Sequence, residues 1–314
     1  MEILKGLVVR GSRNIMTVRV KSENESFMDL ECRIKGKVLK DSGNLYNPLA
    51  TGDWVLVEHK KNSNKAMILS VEKRRNFFSR FNQKEAARQL LAGNVDLVLC
   101  FCTPHSPPFR PRFLDRVLLQ ADAAGIEAVI ICNKIDLEYN DIDVDERLED
   151  FERIGYKVLR VSAKTGKGLD EIRTEIEGKT SVLTGQSGTG KSSLLNALLP
   201  GLNIREGRLN EKYERGVHTT TMSFMTELSA GTQIIDTPGV RLFIPDGIRA
   251  EELILHMREF APFAGKCSFG LSCSHRSECG CKIMEAVAAG VIHEDRYESF
   301  LRIRDDLEGN INDY

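Results

Sequence analysis

The clearest chemistry in the sequence lies in "GQSGTGKSS", Gly185 to Ser193. It matches G-x-x-x-x-G-K-S through Gly185, Gly190, Lys191 and Ser192. Glycines let the backbone turn tightly, so its N–H groups face phosphate oxygens. Gln186, Ser187, Gly188 and Thr189 complete the loop. A strand-like run, "TSVLT", precedes it, and a helix-like "KSSLLNALL" follows. The helix start adds its positive dipole end. Lys191 is placed to reach the β- and γ-phosphates, and the Ser192 hydroxyl to ligate Mg²⁺. Ser193 extends the loop into the helix. A chance glycine-rich turn would not need this strand-then-helix context.

A second group reads a base. In "NKID", Asn133 to Asp136, the Asp136 carboxylate can accept from guanine N1–H and N2–H₂. Adenine offers neither donor. Charge-assisted hydrogen bonds contribute roughly 1.5–3 kcal/mol each, so an unpaired carboxylate would reject adenine strongly. Asn133 would contact the base edge and brace the loop, and the Lys134 stem would cover the ring. "SAK", Ser162 to Lys164, follows another strand and would offer the Ala163 N–H to guanine O6. "DTPG", Asp236 to Gly239, closes the strand "TQIID". Asp236 can hold the metal through water, and the Gly239 amide can meet the γ-phosphate.

The base-reading segments come before the phosphate loop, the reverse of the usual order. All four segments nonetheless follow strands, and α/β folds bind ligands at the carboxyl edge of a parallel sheet. If the original termini lay close together, joining them and opening the chain elsewhere preserves the site. The sequence reads as a circularly permuted P-loop GTPase.

Between the phosphate loop and DTPG lies a polar, Arg-rich stretch ending "HTTT". A threonine there would ligate Mg²⁺ and sense the γ-phosphate. Thr220 is preferred and Thr219 is the alternative. Val240 follows DTPG, where many GTPases carry a water-orienting glutamine. Valine cannot orient water. Either a partner completes the site, or another residue positions the water. His218 is the local candidate, with an ordinary pKa of about 6.5; a packing role for it is the competing reading.

The remaining elements position these residues. Residues 1–75 hold about five short Val/Ile-rich runs, which suggests a small barrel of OB-fold type. "KRRNFFSRFNQKEAARQLLAGN" follows, and residues 76–94 read as a basic connector. Its Phe77, Phe78 and Phe81 could face RNA bases or pack internally. Residues 95–245 alternate continuous apolar strands with helices, which argues for a parallel sheet covered on both faces. In "RFLDRVLLQADAAG", Phe113, Leu114, Val117, Leu118 and Ala121 share one helix face, with Gly125 as the C-cap. Residues 246–314 read as helical, and "AEELILHMREF" is one of the expected helices.

Five ligand-type residues crowd one short segment of this last region: Cys267, Cys273, His275, Cys279 and Cys281. Four of them suit a closed Cys₃His structural Zn²⁺ site, leaving one cysteine surplus. Disulfides or an open catalytic zinc fit less well, because the start shows no signal-peptide pattern and no further His or carboxylate motif surrounds the cluster. Cys32, Cys100, Cys102 and Cys132 sit in apolar, strand-like contexts and read as buried thiols.

The 314 residues carry a net charge of −1, which argues against a general nucleic-acid binder. Residues 1–90, however, hold 18 Lys/Arg against 10 Asp/Glu, a balance of +8, so the rest carries −9. That asymmetry suggests a polyanion partner for the basic end, or an ordinary solvated surface. No apolar run reaches the ~18 residues of a membrane span. A soluble, cytoplasmic protein is expected.

Taken together, the motif order, the basic β-rich start and the Cys/His cluster resemble the ribosome small-subunit-dependent GTPase A family of bacteria. "GDWV", "RRNFFSR", "NKIDL", "SAKTGKG", "GQSGTGKSSLLN", "GVHTTT" and "DTPG" carry the resemblance, which spans nearly the whole chain. It implies an N-terminal OB-fold barrel, a permuted GTPase domain and a C-terminal helical zinc-binding domain. It implies GTP hydrolysis stimulated by the small (30S) ribosomal subunit, late in that subunit's maturation, with its 16S rRNA as a partner. It implies Cys267, Cys273, His275 and Cys281 as zinc ligands. The first interval here is one residue longer than is usual in the family, which leaves Cys279 against Cys281 open. A monomer is expected. Two other readings remain: a permuted GTPase of the large subunit, and an RNA-binding module whose GTP site turns over little.

Overall fold

The computed structural model describes all residues except 12–14, 23–24, 37–44, 62, 138–141, 200–222, 238–241 and 310–314. The first five strands are β1 (Glu2–Gly11), β2 (Ile15–Lys21), β3 (Phe27–Ile34), β4 (Trp54–His59) and β5 (Lys65–Val71). They run in the order β1-β2-β3-β5-β4, and β4 pairs back to β1, so the sheet closes into a barrel of OB type. Period-two alternation turns Met16, Val18 and Val20 inward to meet Leu30, Val55, Val57 and Ile68. Gly6 lets β1 and β2 approach closely, since a Cβ there would lie 2.4 Å from Val18 Cγ1.

Residues 76–94 differ from expectation. They form an antiparallel hairpin of β6 (Phe77–Asn82) and β7 (Ala87–Gly93). Phe78 is fully buried and stacks on Phe243 at 5.5 Å, so it does not face solvent. Phe77 lies beneath the Arg88 guanidinium, and Phe81 is half-buried. The hairpin packs as part of the central core rather than as a linker.

The central sheet is built from β8 (Leu97–Cys102), β9 (Glu127–Cys132), β10 (Lys157–Arg160), β11 (Thr180–Gly185), β12 (Phe224–Ser229) and β13 (Thr232–Asp236). The order is β10-β9-β8-β11-β13-β12. All neighbours are parallel except β12, which runs antiparallel to β13. Helices α1 (Pro111–Ala123) and α2 (Ile142–Arg153) cover one face; α3 (Leu169–Ile176) and α4 (Lys191–Leu198) cover the other. The five α1 residues expected on one face are all buried. β12 meets β1 through Arg10 and Phe224, so barrel and central sheet are continuous.

Beyond residue 245 come α5 (Leu253–His256), α6 (Lys282–Ala288) and α7 (Glu294–Leu307). Only four residues of "AEELILHMREF" form a regular helix. This region shares a core with Leu119 of α1, and Phe260 stacks on Phe300 at 4.7 Å. Buried charges reinforce the junction. Arg296 donates to Asp115 of α1 at 2.7 Å and to Glu259 at 2.5 and 2.9 Å. Arg116 pairs with Asp306 at 2.7 Å. No helix among the described residues is long and apolar enough to cross a membrane.

Candidate functional site

The carboxyl ends of β8, β9, β10, β11 and β13 lie side by side, and the last four carry the expected motifs. The phosphate loop runs from β11 into α4, with Gly188 at φ +85 and Gly190 at φ +89. A Cβ on Gly190 would lie 2.2 Å from Asn133 Nδ2, so the guanine-reading loop needs glycine there. Asn133 ties three segments together. Its Nδ2 donates to the Thr189 carbonyl at 2.9 Å, and its Oδ1 accepts from the Ala163 N–H at 3.1 Å.

Asp136 accepts from Ser162 Oγ at 2.6 Å, with Lys164 Nζ 3.9 Å from the other oxygen. The Ser162 hydrogen bond above all holds its carboxyl below the ordinary range. The group is thus an anion at neutral pH. Lys134 adopts φ +68 and donates to the Ser106 carbonyl at 2.8 Å. The proline-rich loop after β8 therefore lines the site, since Pro107 also neighbours Gly188. The sequence gives no signal for that contact beyond the loop itself. Nor does it pair Arg110 with Gln186, whose amide oxygen can accept from Arg110 Nη1 and Nε at 3.3 Å.

Lys191 is buried, and its ammonium donates to the Gly185 and Gln186 carbonyls at 2.9 Å each. Burial holds its pKa below the ordinary lysine value, against the pull of Asp236. Asp236 is also buried, which raises its pKa to about 7. Among the described residues its Oδ1 has no hydrogen-bond partner. A buried, unpartnered carboxylate oxygen beside a phosphate loop fits a divalent cation. Thr237, next in the chain, donates to the Leu183 carbonyl at 2.6 Å and so ties the end of β13 to β11. His218, Thr219, Thr220, Gly239 and Val240 lie outside the described residues.

The family model for the RsgA GTPase matches residues 71–244. The chain belongs to the RsgA GTPase family. It is 36% identical to the small ribosomal subunit biogenesis GTPase RsgA of Flavobacterium psychrophilum, over 99% of this chain and 94% of that one. It is 34% identical to the protein of the same name from Chlorobaculum parvum, over 98% and 99%. Its structure is similar to that of YjeQ from Thermotoga maritima, with a TM-score of 0.73, 30% identity and coverage of 98% and 99%. YloQ, described as a circularly permuted GTPase, shares the fold at a TM-score of 0.67 and 24% identity, over 100% and 98%.

In this RsgA-family chain the C-terminal cluster brings together Cys267, Cys273, His275 and Cys281. All four are buried, with ligating atoms within 4.8 Å of one another. Cys279 is exposed and outside the group. Cys267 Sγ lies 4.0 Å from Cys281 Sγ, and His275 Nδ1 lies 3.6 and 3.5 Å from those two sulfurs. Tetrahedral Zn²⁺ with Zn–S near 2.3 Å and Zn–N near 2.0–2.1 Å gives edges of about 3.8 and 3.6 Å. The donor set fits that ion. The surrounding loop is braced: Glu278 accepts from the Ser274, Arg276 and Ser277 N–H groups, and Tyr297 donates to the His275 carbonyl at 2.5 Å.

Proposed function

We propose that this protein hydrolyses GTP in the late maturation of the small ribosomal subunit, and that the subunit stimulates the reaction. The observation that carries the reading is the Asn133 bridge. It locks a guanine-reading loop to a phosphate loop that lies later in the chain. The names of the Flavobacterium and Chlorobaculum relatives supply the biological setting.

Asp136 selects guanine, and the Ala163 N–H, which donates to Asn133 Oδ1 here, would be shared with guanine O6 when the base is bound. Lys191 leaves the loop carbonyls for the β- and γ-phosphates, where charge develops as water attacks the γ-phosphorus. Ser192, Asp236 and Thr220 would hold Mg²⁺, which supplies positive charge across those phosphates when bound with the nucleotide. His218 would position the water. Zn²⁺ held by the Cys₃His group would have a structural role, since four protein ligands leave no open position. The basic barrel would bind 16S rRNA. The protein would act as a cytoplasmic monomer.

The test is GTP turnover by the full chain, alone and with purified small or large subunits. Stimulation by small subunits, on the scale of about 10³–10⁵ seen when partners complete such sites, is expected. Stimulation by the large subunit instead would assign the protein to the other subunit's assembly. No turnover under any condition would leave a GTP-binding RNA module.

A further inference from the structure

Two cysteines stand directly beneath the guanine-reading loop. Cys102 ends β8 and Cys132 ends β9, and the two are register partners in a parallel pair. Register partners on neighbouring strands point to the same face, about 4.8 Å apart along the hydrogen-bonding direction. A disulfide spans Cα separations of roughly 4.4–6.8 Å, so the backbone already has the required spacing. Both side chains are buried in the core under α1 and α2.

The pair is placed to influence the nucleotide site. Asn133 follows Cys132, and its N–H donates to the Cys102 carbonyl at 3.0 Å. Thr103 follows Cys102 and opens the loop whose Ser106 carbonyl holds Lys134. The Val161 N–H, just before "SAK", donates to the Cys132 carbonyl at 2.8 Å. Three guanine-site segments thus leave from, or hang on, these two residues.

We propose that Cys102 and Cys132 form a peroxide-sensitive disulfide site whose closure weakens guanine-nucleotide binding. The oxidant is hydrogen peroxide, little larger than water. The Cys132 sulfur, as thiolate, attacks one peroxide oxygen, breaking the O–O bond; with one proton taken up, water leaves and a sulfenic acid remains. The Cys102 sulfur then displaces the sulfenic oxygen as a second water, forming the S–S bond as its thiol proton is transferred. Two thiols and one peroxide give one disulfide and two waters. The Cys102 thiol and Arg160, register partners of Cys132 on either side, both favour the Cys132 thiolate, whose pKa is lowered despite burial. The Cα spacing is within range, but a disulfide needs Cβ atoms about 3.5–4.5 Å apart where parallel neighbours hold side chains about 4.8 Å apart, so closure pulls the two Cβ atoms, and with them the last residues of β8 and β9, toward each other. The Asn133 bridge to Thr189 must then shift.

The inference rests on the guanine-site reading above, and the experiment separates the two. Full-length protein, freed of nucleotide, is treated with graded hydrogen peroxide, alkylated and digested without reductant. Peptide mass spectrometry should find the Cys102–Cys132 link. A fluorescent GDP analogue should bind about tenfold more weakly, a typical scale for coupled sites, and recover with a thiol reductant. Cys102→Ala and Cys132→Ala should each keep GDP affinity through the same treatment. Both retain the Cys/His cluster, so they also control for oxidation there. Absence of the link at doses that oxidise the exposed Cys279 would overturn the proposal. So would a link that leaves affinity unchanged, or an equal loss in both variants. A reduced protein that binds no GDP would defeat the guanine-site reading itself, whereas the link is read without nucleotide.

Discussion

The Asn133 amide donates to the Thr189 carbonyl at 2.9 Å, joining residues 56 apart in the chain. Its oxygen accepts from Ala163, so one side chain fixes the base-reading and phosphate-binding halves in a single geometry. Asn133→Ala leaves a buried carbonyl and an amide without their partner. A buried group left unsatisfied costs about 1–3 kcal/mol, so GDP and GTP should both bind roughly 5- to 150-fold more weakly. Isothermal titration calorimetry checks this. An effect on GTP alone would contradict the bridging role.

Asp136→Asn should change which base is bound. An amide presents a donor where the carboxylate accepts, so guanine loses one or two charge-assisted hydrogen bonds. GTP affinity should fall by an order of magnitude or more, at roughly 1.5–3 kcal/mol per bond, while xanthosine triphosphate gains. Competition between the two nucleotides gives the answer directly.

Asp236 makes a pH prediction. Its native pKa is about 7, against an ordinary 3.8, because burial opposes its charge. Between those values the unfolded chain has released the proton while the native chain keeps it. The nucleotide-free protein therefore loses stability as pH rises through that window, by at most about 1.4 kcal/mol per pH unit from this group. Asp236→Asn should flatten that slope in urea melts at pH 5, 6 and 7. Mg²⁺-dependent GTP binding, which needs the anion, should tighten as pH rises through 7 in the parent and not in the variant.

The parallel strands and the phosphate loop are legible in the sequence because strands buried on both faces read as continuous apolar runs. β8, β9 and β11 are such runs. β12 and the β6–β7 hairpin are not. "FMTELS" is half polar, and "ARQLLAG" is as compatible with a helix or a linker as with a strand. Phe78 turns inward because Phe243, far along the chain, provides its partner. The Arg296–Asp115 pair is equally hidden, since 181 residues separate its members. Burial separates Cys281 from Cys279, and spacing alone does not.

Cysteine replacement tests the metal cluster. Cys281→Ser should abolish bound zinc and loosen the core around Phe260, Ile283 and Phe300. Cys279→Ser should retain one zinc per chain. Metal analysis of the purified proteins, with circular dichroism, distinguishes the two. Chelation of the parent should reproduce the Cys281→Ser spectrum.

Arg296→Met removes the buried partner of Glu259 and the nearer of two buried arginines at Asp115. Breaking a buried ion pair from one side costs about 3–5 kcal/mol, because the remaining carboxylates stay desolvated. Urea denaturation should show that loss. Arg302→Met, at an exposed pair with Glu298, should change stability by less than about 1 kcal/mol.

β1 belongs to two structures at once. One end of it closes the barrel against β4, and its far end, at Arg10, meets Phe224 of the central sheet. The Thr51 hydroxyl adds a bond across the same seam to the Ser223 carbonyl at 3.2 Å. No cut through this strand spares either partner. A proteolytic nick within Glu2–Gly11 would open the barrel and remove the Arg10–Phe224 pairing by which β12 joins it. The two sheets should therefore melt as one cooperative unit, and the N-terminal ten residues set the resistance of both to degradation.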